Sequence, residues 1–298
     1  MTIDTLASWL RCPACHEPLA PVERLTLGCV NGHRFDVNKR GYANLVAGGT
    51  KFIGDSSAML DARDSVLEGG VFSSIAEALA EAVRTTSPRR ILDAGVGTGY
   101  YLRAALSAAL SVADDGLQAN EHGDVRGLAM DLSPAAVTRA VRSSGAIDGL
   151  VADTWQPLPI RDEACDLVLD VFAPRNLPEF RRVLRPGGSV LVVVPLAEHL
   201  AELRADTAML DIPDDKAASI VTAASPLFDL AESQTIRATV DLTPAVADAL
   251  VQMGPSAHHR PTSDASPSAP RPQDAAAPGV TTPGVTTLAV HLLHLRRR

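Results

Sequence analysis

Alternate glycines between residues 91 and 101 constrain the fold of this chain more than any other feature. The run there reads Ile-Leu-Asp-Ala-Gly-Val-Gly-Thr-Gly-Tyr-Tyr. An apolar strand leads into Gly95, Gly97 and Gly99, and a segment that can form a helix follows from Tyr100. Glycines at such a turn let the backbone bend tightly and approach a ligand with no side chain in the way. The run therefore predicts a strand–turn–helix unit of an α/β fold, with a ligand site at the turn.

The spacing of these glycines indicates which ligand the turn holds. A dinucleotide-binding turn has glycines at its first, third and sixth places, but the sixth place here is Tyr100, which is too bulky for a pyrophosphate to sit on the helix start. Glycines at the first, third and fifth places resemble motif I of the class I S-adenosylmethionine (SAM) methyltransferases. A glycine-rich turn in some other α/β protein is the alternative, because short motifs also occur by chance.

Length, charge and hydropathy narrow the class of protein. The 298 residues suffice for one large core and a small accessory module. A formal net charge of −8 argues against nucleic-acid binding through overall charge, although it leaves room for a local basic surface. The sequence has no apolar run long enough to cross a bilayer and no secretory signal pattern, so we expect a cytoplasmic protein with no membrane partner.

Three of the four cysteines lie in the first thirty residues, which points to a metal site rather than to disulfides in a protein without an export signal. Cys12 and Cys15 have two residues between them, and Cys29 and His33 have three. Two such pairs, each on a turn, supply the four ligands of a tetrahedral structural zinc ion. The alternatives are three free thiols with an unrelated histidine, or His16 in the place of His33.

Two further stretches belong to the same N-terminal region. Residues 19–23 and 24–28 fit a short hairpin between the two ligand pairs. Residues 34–45 mix basic, aromatic and amide side chains, as segments that hold phosphates and stack on bases do. An ordinary solvated linker has the same composition, so both interpretations stay open.

Beyond residue 84 the sequence alternates apolar strands with helical segments. Strands are expected at 90–92, 125–130, 149–152, 165–171 and 189–195. Continuous apolar strands are typical of a parallel sheet that is covered on both faces. The alternation predicts a doubly wound sheet with its ligand site at the carboxyl ends of the strands.

Other segments are assigned from composition and periodicity. Residues 57–84 fit helices that break at Gly69 and Gly70, and residues 111–124 fit a polar loop insertion. Cys165 stands alone in an apolar strand and is expected to be a buried small hydrophobe.

The C-terminal part is expected to contain a hairpin with a long interruption. Strands at 235–242 and 286–295 enclose a helix at 244–253 and then a low-complexity stretch at 254–284. That stretch is rich in Pro, Ala, Ser and Thr, so we expect a disordered insertion. The last residues, Arg296–Arg298, are expected to be a solubilising tail.

Taken together, these features resemble the 23S ribosomal RNA guanine-N1 methyltransferases, a family that includes enzymes conferring resistance to tylosin-type macrolides. The resemblance rests on the zinc module and on specific phrases. These are Gly-Tyr-Ala-Asn-Leu at 41–45, Gly54-Asp55-Ser56 with Met59 and Arg63, motif I with its two tyrosines, Ala173-Pro174, Arg185-Pro-Gly-Gly, and Pro195 followed by His199-Leu200. A zinc module joined to motif I through the Gly-Asp-Ser phrase is much more specific than motif I alone.

The resemblance implies a fold, a division of the chain and a reaction. The implied fold is an α/β, Rossmann-like class I SAM methyltransferase with a doubly wound, mostly parallel seven-stranded sheet. A zinc-binding RNA-recognition module at 1–45 and a helical linker at 46–84 would precede the methyltransferase domain at 85–298. The implied cofactors are SAM and structural Zn²⁺. The implied partner is a domain II hairpin of 23S rRNA, methylated at guanine N1, with macrolide resistance as one role and a homodimer as one assembly.

Particular residues take roles through the same resemblance. The residues implied to hold SAM, its ribose and its adenine are Asp93, Gly95, Gly97, Gly99, Tyr100, Asp131, Asp153 and Thr154. Guanine N1 carries a proton at neutral pH, so a nearby base would help methyl transfer. His199 and Asp170 are the candidates, and each fits a purely structural role equally well.

Two other functions fit parts of the sequence. A small-molecule methyltransferase would carry the same core motifs, but it has no evident need for a zinc module with a basic and aromatic extension. The second is a zinc-dependent binding module on an inactive scaffold. The intact Asp93, glycines and Asp131 argue against that possibility.

Overall fold

The structure is a computed structural model, and it describes residues 2–46, 48, 50, 52–115, 125–205, 207, 212–213, 215–254 and 284–298. The low-complexity stretch at 254–284 lies outside the described residues except for its two ends. Residues 116–124 of the expected loop insertion also lie outside them.

Eleven strands form one sheet in the described part of the chain. In chain order they are β1 (Ala20–Glu23), β2 (Thr26–Gly28), β3 (Arg34–Asn38), β4 (Tyr42–Asn44), β5 (Arg90–Ala94), β6 (Arg126–Asp131), β7 (Ile147–Val151), β8 (Cys165–Val171), β9 (Leu184–Pro195), β10 (Phe228–Asp241) and β11 (Val285–Arg297). Across the sheet they follow the order β1-β2-β3-β4-β7-β6-β5-β8-β9-β11-β10.

Strands β5 to β11 confirm the expected seven-stranded, doubly wound arrangement. β7, β6, β5, β8 and β9 are parallel neighbours, and β11 and β10 follow them in antiparallel orientation. From β5 the chain first winds to one side, through β6 and β7, and then returns to add β8 and β9 on the other. Ligands bind doubly wound sheets where the winding reverses, in the crevice at the carboxyl ends of the strands.

The helices of the described residues flank this sheet. They are α1 (Ile3–Ala7), α2 (Ser57–Glu68), α3 (Ser73–Thr86), α4 (Tyr100–Asp115), α5 (Pro134–Ser143), α6 (Leu177–Val183), α7 (Ala201–Ala205), α8 (Lys216–Ala224) and α9 (Pro244–Gln252). The break between α2 and α3 falls at Gly69 and Gly70, as the sequence predicts. Within the described ranges, no helix has both the length and the apolar composition to cross a bilayer.

Alternate side chains of the strands build a core on each face of the sheet. On β5, Ile91 and Leu92 are both fully buried, but they belong to different cores. The core of Leu92 also holds Trp9 from the N-terminal region, and the core of Ile91 holds Leu79 from α3. Successive strand side chains point to opposite faces, so a continuous apolar strand is what two covered faces require.

The N-terminal region continues the sheet. β1 and β2 form the expected hairpin, and β3 pairs antiparallel with β4. β4 then runs parallel to β7, with Tyr42 opposite Gly149. Residues 34–45 therefore hold two strands of the sheet, which excludes their interpretation as a solvated linker.

A buried polar cluster lies under this join. The carboxyl group of Asp148 is fully buried, and it accepts hydrogen bonds from Trp9 Nε1 at 3.0 Å and from Thr5 Oγ1 at 2.8 Å. Arg126 completes the cluster with an ion pair to Asp148 at 3.1 Å. Because Thr5 and Trp9 come from α1 and the residues after it, while Arg126 comes from β6, this one carboxylate ties α1 to the centre of the sheet.

Several predicted boundaries are wrong. α4 runs to Asp115, so the first five residues of the expected loop at 111–124 are helical. β9 begins at Leu184, which puts the expected Pro-Gly-Gly turn inside a strand with irregular pairing to β8. β11 extends through the expected tail, where Arg297 forms an ion pair with Glu163 at 3.1 Å. Strand ends depend on the neighbouring strand, which a local pattern does not show.

Candidate functional site

Four side chains of the N-terminal region converge on one point. The Sγ atoms of Cys12, Cys15 and Cys29 and a ring nitrogen of His33 all lie within 4.8 Å of one another. The Sγ of Cys12 lies 3.6 Å from Nδ1 of His33, and the sulfurs of Cys15 and Cys29 are 3.6 Å apart. Tetrahedral zinc with Zn–S bonds of about 2.3 Å needs similar separations, so the donor set fits zinc. The alternative ligand, His16, is exposed and does not belong to this group.

The backbone around these side chains favours a metal-binding thiolate. The N–H of Glu17 and the side chain of Asn31 hydrogen-bond to Cys15 and lower its pKa to about 6. Thiolates, not thiols, bind metals. Four protein ligands leave no open coordination position, so a zinc ion held here would stabilise the fold and take no part in chemistry.

The glycine turn lies in the crevice, at the carboxyl end of β5. Gly95, Gly97 and Gly99 have φ angles of +93°, +52° and +82°, which residues with a Cβ rarely adopt. A Cβ added at Gly95 would lie only 2.6 Å from the Cβ of Ala173. The turn therefore has no room for a side chain at Gly95, and α4 begins directly after it, at Tyr100.

Two carboxyl groups flank the glycine turn, the buried Asp93 and the half-buried Asp131. Asp131, at the end of β6, accepts hydrogen bonds from the N–H of Gly97 at 3.0 Å and from the N–H of Ser133 at 2.8 Å. Burial, and next the nearby Asp131, raise the pKa of Asp93 to about 8. Burial also raises the pKa of Asp131. We call the glycine turn with Asp93 and Asp131 the cofactor cradle. A cationic ligand there would offset the free-energy cost of charging both carboxyl groups, so the cradle fits SAM, which is positive at its sulfonium and amino groups.

The end of β7 adds two more of the expected cofactor residues. Asp153 and Thr154 are both buried there. The carboxylate of Asp153 accepts a hydrogen bond from the N–H of Trp155 at 3.0 Å and another from the hydroxyl of Thr50. The side-chain amide of Asn176 donates to the carbonyl of Thr154 at 2.8 Å. This corner is therefore held together by three separate segments of the chain, at Thr50, at residues 153–155 and at Asn176.

The segment before α2 crosses the same edge of the sheet. The hydroxyl of Ser133 donates to the carbonyl of Asp55 at 2.7 Å. Asp55 forms an ion pair with Arg63 of α2, whose guanidinium packs over the backbone of Gly97. Arg63 also donates to the carbonyl of Met253 at 3.0 Å. The sequence marks Asp55 and Arg63 only through the family resemblance, and the structure places them against the cofactor cradle.

Asp170, the residue before the last of β8, lies in an unusual environment. Its carboxyl group is fully buried, and neither oxygen makes a well-aligned hydrogen bond among the described residues, although the backbone N–H of Ala173 is close enough to act on it. The nearest cation is Arg175, with Nη1 at 3.7 Å. Burial raises the pKa of Asp170 well above its ordinary value, although Arg175 opposes the shift. Burying a carboxyl group that lacks well-aligned hydrogen bonds costs free energy, and such groups concentrate at functional sites.

His199, the other candidate base, follows β9 on the same edge. Its Nδ1 accepts a hydrogen bond from the N–H of Ala289 at 3.3 Å. Burial, and next the charge of Arg204, lower its pKa to about 4. Its ring packs near Phe72 and Phe172, with ring centroids 6.1 Å and 5.8 Å away. His199 is therefore a neutral imidazole whose Nδ1 is already occupied.

The expected cofactor residues thus lie along the ends of β5, β6 and β7. Of the two candidate bases, Asp170 lies near the end of β8 and His199 lies beyond β9. Sequence reasoning gave no role to Thr50, Phe72 or Phe172, which line the same edge. Their only sequence signal is that each stands next to a predicted helix, strand or motif phrase.

Comparison with known proteins adds an independent line of support. Residues 10–51 match the family model of the zinc ribbon that forms the N-terminal part of RlmA. Over 256 residues the chain is 39% identical to the 23S rRNA (guanine(748)-N(1))-methyltransferase of Streptomyces fradiae, a match that covers 85% of this chain and 86% of that protein.

Two further relatives carry names that assign a 23S rRNA guanine-N1 methyltransferase activity provisionally. One, from Micromonospora griseorubida, is 38% identical over 269 residues, covering 84% of this chain and 87% of that protein. The other, YxjB of Bacillus subtilis, is 30% identical over 211 residues, covering 66% of this chain and 68% of that protein.

Proposed function

The chain belongs to the family of 23S rRNA (guanine-N1)-methyltransferases, and we propose that it transfers a methyl group from SAM to N1 of a guanine in 23S rRNA. The observation that carries this proposal is the match to the S. fradiae enzyme, which runs through most of both chains. The site supports it, because a donor set that fits zinc and a cradle that fits SAM lie on one continuous sheet.

SAM, when bound, supplies an electrophilic methyl group on a cationic sulfur. The residues assigned to hold it are Asp93, Gly95, Gly97, Gly99, Tyr100, Asp131, Asp153 and Thr154. The zinc ligands are Cys12, Cys15, Cys29 and His33, and their role is to hold the N-terminal module. The target base must leave its stack to reach the cradle, so most of the catalytic effect comes from positioning it.

We assign the proton acceptor for guanine N1 to Asp170. A carboxylate whose pKa lies above the ordinary range takes a proton more readily than an exposed aspartate does. His199 is the weaker candidate, because its Nδ1 already accepts a backbone N–H and its pKa is about 4. Neither oxygen of Asp170 makes a well-aligned hydrogen bond in the described residues.

The test is transfer of labelled methyl from SAM to purified 23S rRNA, followed by primer extension. Methylation at N1 blocks Watson–Crick pairing, so a new stop at a single guanine is the expected result. An Asp131→Ala variant is the matched control, because it retains the zinc module and should lose the label. Label without a stop would place the methyl on another atom and overturn the guanine-N1 assignment. SAM binding without any labelled RNA would indicate a small-molecule acceptor.

Finer features of the substrate and setting are part of the same proposal. The substrate would be a domain II hairpin of 23S rRNA, which would place the protein with the ribosomes of the cytoplasm. A homodimer would clasp such a hairpin from two sides, and macrolide resistance would follow where the methyl group obstructs the drug. A footprint of the bound RNA tests the hairpin substrate, and sedimentation with and without RNA tests the homodimer. The macrolide sensitivity of a host that expresses the protein tests the role in resistance.

A further inference from the structure

An exposed aromatic ring stands directly beyond β8. Phe172 is 42% exposed and has a φ angle of +54°, a conformation that is unfavourable for a residue with a Cβ. Its N–H donates to the carbonyl of Val193 at 3.1 Å, which ties the backbone of Phe172 to β9. The fold therefore holds a large apolar ring partly in solvent at a cost in free energy, and strain of this kind concentrates at ligand sites.

The neighbours of Phe172 place it at the reaction site. The next residue, Ala173, packs against the glycine turn so closely that a Cβ at Gly95 would overlap it. Asp170, the assigned proton acceptor, lies two residues before it. Phe172 therefore lies between the residues assigned to the methyl donor and the residue assigned to the proton.

His199 and Phe72 complete an aromatic wall with Phe172. Phe72 lies 6.2 Å from Phe172, and His199 lies 5.8 Å from it, measured between ring centroids. Because Nδ1 of His199 accepts the N–H of Ala289, the proton of the neutral ring is on Nε2. The hydrogen bond found for this ring among the described residues is the one at Nδ1, so the Nε2–H is left as a donor on the aromatic wall.

We propose that Phe172 stacks on the extruded target base and that the Nε2–H of His199 donates a hydrogen bond to guanine O6. This inference rests on the proposed function. Guanine presents an acceptor at O6, whereas adenine presents an amino donor at the same place. Loss of the N1 proton shifts negative charge to O6, and a donor held there stabilises that charge. The pair Phe172 and His199 therefore positions the base and selects guanine.

The stacking role is tested with Phe172→Leu and Phe172→Tyr on the RNA whose modified guanine has been mapped. The leucine variant keeps an apolar side chain but removes the ring, so kcat/KM for RNA should fall about ten- to hundred-fold. The tyrosine variant should stay close to the wild type. SAM affinity of both should be unchanged, which separates a lost stack from a damaged cradle. A leucine variant with wild-type kcat/KM would overturn the stacking role.

The donor role is tested with His199→Phe, His199→Gln and an RNA carrying 6-thioguanine at the target position. Phenylalanine keeps the ring and loses the N–H, so kcat should fall about a hundred-fold, while glutamine keeps a donor near Nε2 and should retain most activity. Sulfur is a poor acceptor, so thio substitution should slow the wild type and leave the rate of the phenylalanine variant nearly unchanged. An equal thio effect in both proteins would overturn the hydrogen bond to O6.

The base-positioning inference and the proposed function can be refuted by different results. If the wild type labels no 23S rRNA, the proposed function fails before any variant is compared. If the wild type labels one guanine and neither variant series departs from it, only the base-positioning inference fails. Circular dichroism and SAM affinity of each variant exclude unfolding as the cause of a loss.

Discussion

At Asp170, a carboxyl group is buried near the end of β8 and makes no well-aligned hydrogen bond in the described residues. The charged groups that act on it are Arg175, Asp93 and Lys216. Its pKa is raised in the folded chain. At a pH between the pKa of Asp170 in the unfolded chain and its higher pKa in the folded chain, the folded protein holds a proton that the unfolded chain has released. Stability therefore falls as the pH rises through that window.

We expect Asp170→Asn to make the protein more stable at pH 7 and far less active. The amide has no charge to bury, so the free energy of unfolding should rise by about 1–3 kcal/mol at pH 7. This gain should vanish below about pH 4, where the carboxyl group is protonated in both states. Methyl transfer should fall about 10²- to 10⁴-fold if Asp170 accepts the proton. Urea unfolding at both pH values is the measurement, and lower stability at pH 7 would contradict it.

Gly95 allows a second comparison between single residues. Gly95→Ala must place a Cβ in a left-handed conformation and 2.6 Å from Ala173, whereas Gly70, at φ +80°, has nothing within 4 Å of an added Cβ. We expect Gly70→Ala to cost about 1–2 kcal/mol from the backbone alone. Overlap should add about 1–3 kcal/mol for Gly95→Ala.

The two glycine variants should also differ in ligand binding. Gly95→Ala narrows the proposed cradle, so SAM should no longer raise its melting temperature, while Gly70→Ala should respond as the wild type does. Denaturant unfolding and thermal melts with SAM are the measurements. Equal behaviour of the two variants would show that contact with Ala173 does not limit this turn.

At the scale of elements, the strands of the N-terminal ribbon (residues 10–51) bury few side chains, and those that are buried, such as Leu19 and Leu27, belong to the core shared with the large sheet. All four residues of β1 are exposed, and β2 and β3 have few buried side chains. Small modules of this kind gain their stability from a bound metal. The ribbon therefore depends on its ligand cluster more than on its strands.

We expect elemental analysis to find about one zinc ion per chain, as one four-ligand site requires. His33→Ala should lose the metal and lower the melting temperature, because the ribbon then loses one of four ligands. His16→Ala should retain the metal, since His16 is exposed and outside the cluster. Cys165→Ala is a second control, because that thiol is buried in β8 and hydrogen-bonds to the carbonyl of Val183 at 3.3 Å. Zinc retained by His33→Ala would contradict the assignment.

At the scale of the whole molecule, the ribbon and the methyltransferase sheet are joined through β4 and β7 and through the Asp148 cluster. Breaking a buried pair leaves an uncompensated charge. The join is therefore expected to be a part of the core and not a hinge.

We expect Asp148→Ala to lower the free energy of unfolding by about 3–5 kcal/mol, because the substitution leaves the guanidinium of Arg126 and the indole N–H of Trp9 without this partner. Asp162→Ala is the matched control. Asp162 pairs with Arg182 at 2.6 Å, but its side chain is 67% exposed, so its loss should cost less than about 1 kcal/mol. Chemical denaturation of both variants measures the two losses in the free energy of unfolding. Equal losses would argue against a stabilising role for the buried Asp148 cluster.

The sequence by itself determined the elements whose signals are local. Ligand spacing at Cys12 and Cys15, glycine spacing at the turn, and the apolar run of β8 each arise within a few neighbouring residues. Backbone conformation and metal geometry act over that same range, so these predictions agree with the structure. The division into modules at 45 and 84 remains a prediction.

Only the tertiary structure decided which separated residues meet. It selected His33 over His16, buried the carboxyl group of Asp170, and set the tautomer of His199 through Ala289, which lies 90 residues away. It also carried β4 into the methyltransferase sheet, although composition alone allowed a linker. Burial and hydrogen-bond partners are properties of the packed chain, because they depend on segments that the sequence leaves far apart.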